Sequence, residues 1–147
     1  METQDKDKYN LDRFIFGQAN EDTTYFEALN EIKSGRKVTH WIWYIFPQAK
    51  GLGKSQKSEF YGISCKKEAQ EYLTHPLLGP RLREVTLAFS KHEHKDAFLI
   101  FNSDAKKVRS CMELFATIDE SEENLFQRIL FEFQFEPAKS SPCIQKK

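Results

Sequence analysis

Gly51-Leu52-Gly53-Lys54-Ser55 brings together residue types that bind an anion: two glycines that let backbone amides converge, a lysine ammonium and a serine hydroxyl. Two stricter phosphate-loop patterns fail on it. A Walker loop needs a glycine five residues before Gly53, where Gln48 stands, and a dinucleotide fingerprint needs a third glycine where Gln56 stands. What remains is general physics. Ser55 is placed to cap a short helix and Lys54 adds positive charge at its N-terminus, so a phosphate or carboxylate could dock there. An exposed flexible loop without a ligand is the competing reading.

The residues ahead of the loop, His40-Trp41-Ile42-Trp43-Tyr44-Ile45-Phe46-Pro47-Gln48, supply the other candidate ligand contacts. His40 is the histidine inside this aromatic run, where an imidazole either finds a structural hydrogen-bond partner or borders a cleft. Trp43 is either core or an indole at a rim, able to stack on a nucleobase or sugar ring. Tyr44, on the same helical face as His40, and Gln48 complete the set. Arg109 neighbours the apolar face of its helix and could lean toward an anion or a carboxylate. Glu59 follows the loop and is the weak candidate for a general acid or base. His92 and His94 stand at i, i+2, which share no helical face, so no metal site is expected. No Ser/His/Asp or Cys/His set assembles, and nothing calls for a cofactor.

Helices must position these groups. Leu11, Phe14 and Ile15 predict a short helix with Asn10 as N-cap. Over Asp22 to Ser34, Thr24 and Glu27 have capping-box spacing, Tyr25, Leu29 and Ile32 share a face, and Gly35 follows as a left-handed cap. The run from Val38 to Phe46 fits a buried strand or a buried helix turn; capping by Thr39 and termination by Pro47 favour helix. Ser55 opens a short helix to Tyr61, and another spans Lys66 to Leu73. Pro80 suits the first position of a helix carrying Leu78, Leu82, Val85 and Phe89 on one stripe and ending near His92. Ala97 to Phe101 is apolar and of undetermined form. Asn102 or Ser103 is expected to cap a helix whose inward face is Val108, Cys111, Met112 and Phe115. The last helix follows Ser121, with Glu122 and Glu123 in its first turn and Leu125, Phe126, Ile129, Leu130 and Phe133 inward. The fold expected is all-α, a compact domain of about six to eight short helices over residues 9–136, with disordered ends over 1–8 and 137–147.

Composition bounds the function. A chain of 147 residues is large enough to bury roughly 70% of its unfolded surface, and thirteen phenylalanines furnish the core. With 22 basic and 22 acidic residues the formal net charge is zero, so no global field attracts duplex nucleic acid or an anionic membrane; any anion site is local. Cys65, Cys111 and Cys143 form no Cys-x-x-Cys pair and leave one over, which fits a reducing compartment. The polar start and the absence of a long apolar run point to a cytoplasmic or nuclear protein.

Several blocks together resemble a known family: Tyr9-Asn10-Leu11-Asp12-Arg13-Phe14, the aromatic Pro-Gln run with its glycine loop, His75-Pro76-Leu77-Leu78-Gly79 and Lys107-Val108-Arg109-Ser110-Cys111-Met112. They resemble the family catalogued as domain of unknown function 1810, over about Tyr9 to Phe133. The resemblance implies a mainly helical domain without an established activity. This chain departs from it at Ser110-Cys111-Met112-Glu113, where the family carries Ser-Ser-Met-Thr. Members are sometimes labelled calpastatin, but nothing here is like a long disordered inhibitor repeat. The helical, aromatic, polar-cleft character is also similar to the NADAR family of ADP-ribose-linked glycosidases, a likeness that shares no motif and transfers no catalytic residue.

Two functions follow as expectations. The first is a binder of, or enzyme on, a phosphorylated, nucleotide-like ligand of the ADP-ribose type, its phosphate held by the glycine loop. The second is a non-enzymatic helical module whose polar loop meets a protein partner.

Overall fold

The structure, a computed structural model, describes residues 7–137, so most of the expected disordered start over 1–8 and tail over 137–147, with Cys143, lies outside the described residues. The described residues form nine α-helices: α1 (Asp12–Asn20), α2 (Tyr25–Ser34), α3 (Ile42–Ile45), α4 (Gln56–Phe60), α5 (Lys66–Thr74), α6 (Leu78–Ser90), α7 (Ala97–Phe101), α8 (Ala105–Ala116) and α9 (Leu125–Glu132). Three of them are about one turn long, and a 3-10 turn, Asn102–Asp104, joins α7 to α8. The all-α expectation holds. None of these helices is long and apolar enough to cross a membrane.

Local chemistry fixes the best-formed helix. In α2 the Thr24 hydroxyl accepts from the Glu27 amide, the Glu27 carboxylate accepts from the Thr24 amide, and Gly35 closes the helix at φ 95°. The predicted stripes are buried: Leu78, Leu82, Val85 and Phe89 on α6, and Val108, Cys111, Met112 and Phe115 on α8. α6 packs against α2, α5 and α9, and α8 lies on α9. Trp41 and Phe46, from the run before the loop, enter the core against Phe101 at centroid distances of 6.3 and 5.6 Å, and Phe89 joins them at 5.2 Å from Phe101.

Several caps differ from expectation, and at α1, α6 and α9 another side chain holds the free amides. Asn10 takes a left-handed φ of 55°, and the Asp7 carboxylate instead accepts from the Leu11 and Asp12 amides at 2.6 Å. α6 starts at Leu78, with Pro80 as its third residue, because His75 Nδ1 accepts from the amides of Leu77 and Leu78 at 3.0 and 3.2 Å. Gly79 is needed there: a Cβ would meet the Leu73 carbonyl oxygen at 2.1 Å. Asn102, at φ 56°, lies in the 3-10 turn, and neither it nor Ser103 caps α8. Asn124 caps α9 by accepting from the Gln127 amide at 3.0 Å, so Glu122 and Glu123 stay in the loop ahead of it.

One buried polar atom is left over. The Tyr72 hydroxyl has no hydrogen-bond partner although its residue is fully buried, and burial pushes the phenol well above its ordinary range. The Gln18 amide close by is engaged elsewhere, donating to the Tyr44 carbonyl and accepting from Arg81. An unmade buried hydrogen bond costs about 1–3 kcal/mol. Tyr72→Phe is therefore expected to leave stability unchanged or raise it by up to about 1 kcal/mol in urea melts. A loss above that would mean the hydroxyl has a partner.

Candidate functional site

The glycine loop is pinned at its base by two backbone bonds, Ile63 N–H to Gln48 O and Lys50 N–H to Ile63 O, both 2.8 Å. Gly51 takes φ 95°, a conformation glycine adopts without steric cost. Gly53 lies against Trp43: a Cβ there would come within 2.8 Å of the indole Cη2 and of Ser58 Cβ. Ser55 caps α4, its Oγ accepting from the Ser58 amide at 3.1 Å. Among the described residues, the amides from Gly51 to Ser55 donate to no protein acceptor.

Glu31 of α2 holds the segment that carries Trp43. Its Oε1 accepts from the Val38 and Thr39 amides and from the Trp41 indole N–H at 2.7, 3.1 and 2.8 Å, and its Oε2 from the Thr39 hydroxyl at 2.6 Å. Burial alone would raise this carboxyl; the hydrogen bonds from Thr39, Trp41 and the two amides outweigh it and hold the group below its ordinary value. Thr39 is thus spent on Glu31 and Thr23, and α3, which it was expected to cap, shrinks to Ile42–Ile45 without a side-chain cap. Trp41 goes into the core and Trp43 stays half-buried at the surface.

The opposite wall is α8 with the 3-10 turn before it. Ser103, Lys106, Lys107 and Ser110 step by three, one and three along one helical face and line a cavity of about 920 Å³ with Trp43 and the loop. Neither Lys54 nor Lys106 has a carboxylate partner among the described residues. Gln48, only 2% exposed, also lines this cavity; its Nε2 donates to Phe46 O at 3.2 Å, and its Oε1 has no partner among the described residues. A second cavity, about 420 Å³, meets the first at Trp43, Ser55 and Lys107. There Asp104 receives Lys37 and Lys107, each at 2.9 Å. Burial opposes ionisation of Asp104, but the two lysines prevail and keep its carboxyl below the ordinary value. The Lys107 ammonium lies 5.6 Å from the centroid of the Trp43 ring, close enough for a cation–π contact.

The expected site residues separate in space. Trp43, Gln48, Gly53, Lys54 and Ser55 line the larger cavity, and Gly51 shapes the loop from outside it. His40 is exposed and borders the smaller cavity. Tyr44 borders it too, but its ring is core and its hydroxyl donates to Thr23 O, so it shares no open face with His40. Arg109 lines neither cavity: it leans to carboxylates, Glu136 at 3.5 Å and Glu113 at 4.0 Å. Glu59 lines neither cavity: it is exposed on a third groove, on the other side of the loop residues Lys54 and Ser55, with Lys50 and Phe60. Lys106, Lys107 and Ser110 were missed. Their i, i+3, i+4, i+7 spacing with Ser103 was readable, but as a polar face it looked the same as a solvated one.

Fold and site define an all-α protein with a cationic cleft walled by an indole. The chain belongs to the DUF1810 family, described as protein of unknown function, whose model matches residues 8–142. The family resemblance carried by the aromatic Pro-Gln run and its neighbouring blocks is thereby confirmed. The crystal structure of the conserved hypothetical protein Rv1873 from Mycobacterium tuberculosis is similar, with 39% identity, a TM-score of 0.79, and coverage of 86% of this chain and 89% of that one. No curated protein matches the chain.

Proposed function

We propose that the protein binds a phosphorylated, nucleotide-like ligand of the ADP-ribose type in the cleft between the glycine loop and α8. The observation that carries this reading is the placement of two ammonium groups without carboxylate partners, Lys54 and Lys106, on different walls of a cavity that also holds a half-buried indole. In a chain of zero net charge, unbalanced lysines in one concavity attract an anion locally. The loop amides, free of protein acceptors, add donors for phosphate oxygens. Trp43 offers a stacking surface for the base, and the Gln48 Oε1, without a protein donor among the described residues, is an acceptor for an exocyclic amine of the base. The hydroxyls of Ser55 and Ser110 are engaged with the backbone, so the reading is one of binding. A reducing compartment, cytoplasmic or nuclear, suits Cys65 and Cys111, which are both free thiols.

Calorimetry with AMP, inorganic phosphate and adenosine tests it. AMP should bind more tightly than either fragment. Lys54→Ala and Lys106→Ala should each weaken AMP by roughly ten- to a hundredfold, the worth of a charge-assisted hydrogen bond of about 1.5–3 kcal/mol. Gly53→Val should weaken it through displacement of the Trp43 indole. If no phosphorylated ligand binds even at millimolar concentration, the helical interaction module becomes the better reading, with Leu52 and Phe60 as exposed apolar side chains near the loop.

A further inference from the structure

Resting on the reading above, we infer that the ligand is a nucleoside diphosphate sugar, its base in the larger cavity, its diphosphate at the waist and its sugar in the smaller cavity. The two cavities, about 920 and 420 Å³, each fall in the range that holds a small-molecule group, and they are neighbours that share Trp43, Ser55 and Lys107 in their linings. Their shared residues suit a diphosphate: Lys107 supplies a cation to both sides, and Ser55 stands at the end of the loop with the free amides.

Charge points the same way. Lys37, Lys54, Lys106 and Lys107 surround the two cavities against the single carboxylate of Asp104, whereas Lys57, also present, is paired with Glu21. A nucleoside monophosphate and a nucleoside diphosphate sugar each carry about two negative charges near neutral pH; the sugar nucleotide divides them between two phosphates, so one can meet Lys107 at the waist while the other meets the lysines of the larger cavity.

The cavities differ in chemistry, which orients the ligand. Aromatic rings line both, but in the smaller one Trp41 and Tyr44 are core rings only 1% exposed, whereas the larger one presents the half-buried Trp43 and Phe98 to a flat base. The smaller one carries Asp104, His40 and Gln56. Each Asp104 oxygen accepts one lysine, Oδ1 from Lys107 and Oδ2 from Lys37, and keeps further acceptor capacity for vicinal sugar hydroxyls. Asp104 and His40 are thus the residues that distinguish a sugar-bearing ligand from a plain nucleotide.

Calorimetry with AMP, ADP and ADP-ribose on the wild type and on His40→Ala, Gln56→Ala and Asp104→Asn separates the outcomes. The second phosphate and the sugar should each tighten binding, with ADP-ribose at least about tenfold above ADP. His40→Ala and Gln56→Ala should lose most of the gain from the sugar and keep AMP affinity within about twofold; Asp104→Asn, which also frees Lys107, should lose the gain from the sugar while AMP binds no more weakly than to the wild type. Asp104→Asn leaves Lys37 without its anion; if it unfolds, the two variants at exposed positions, His40 and Gln56, carry the test. AMP binding with no gain for ADP-ribose, or equal losses for AMP and ADP-ribose in His40→Ala and Gln56→Ala, overturns this inference and leaves the phosphate cleft standing. Failure of all three compounds to bind the wild type overturns both.

Discussion

Arg13→Ala is expected to cost about 3–5 kcal/mol in urea melts, a large share of the roughly 5–15 kcal/mol that keeps a domain folded. The guanidinium has five N–H donors and uses all of them. Nε donates to Phe60 O at 2.7 Å, Nη1 to Tyr9 O and Asn10 O at 2.7 and 2.9 Å, and Nη2 to Gly62 O and Glu68 Oε2 at 2.9 and 2.7 Å. Both side chains of the ion pair are buried, at 7% and 2% exposure. Glu68 is also held by the Ser64 amide and hydroxyl at 2.9 and 2.7 Å. Deleting the arginine strands a buried carboxylate and takes a donor from four carbonyls at once. The pair fastens α1 to the end of α4 and the start of α5, so the variant should also loosen the return arm of the glycine loop. Glu68→Ala should cost as much, and Arg13→Met with Glu68→Leu less than the two single losses added, because the partners form one unit. A loss below about 1 kcal/mol for either alanine variant would show that the site relaxes by admitting water.

Phe115→Ala should cost a comparable 3–5 kcal/mol, for a different reason. Its ring is fully buried on α8, 5.6 Å from Tyr72 of α5 and 5.8 Å from Phe126 of α9 by centroids. Removing it opens a cavity where three helices meet, and each surviving ring is fixed to its own helix and can fill the space only in part. Phe126→Ala, taking away the other side of the same contact, should fall in the same range. Because both act on one contact, the double variant should lose less than the sum. Denaturant melts with an unchanged slope and a loss under about 1 kcal/mol would mean that the α8–α9 contact does not carry the stability assigned to it.

By itself the sequence determined the features that depend on neighbours within a turn or two. The Thr24–Glu27 box and Gly35 were legible because both ends of α2 are settled by residues three or four apart. The stripes of α6, α8 and α9 were legible because burying one helical face imposes a period that survives any choice of partner. The glycine loop, Lys54, Ser55 and Trp43 stood out by type and spacing. Tertiary structure decided what depends on residues distant in the chain. Tyr44 turned inward because Thr23 O, twenty-one positions away, takes its hydroxyl, while His40 was left in solvent. Arg109 and the Lys106–Lys107 pair look alike as cations on one helix. Which of them faces the loop is set by how α8 sits against α9 and the core, and a helix's own periodicity fixes only the face that goes inward, not what stands opposite its polar side.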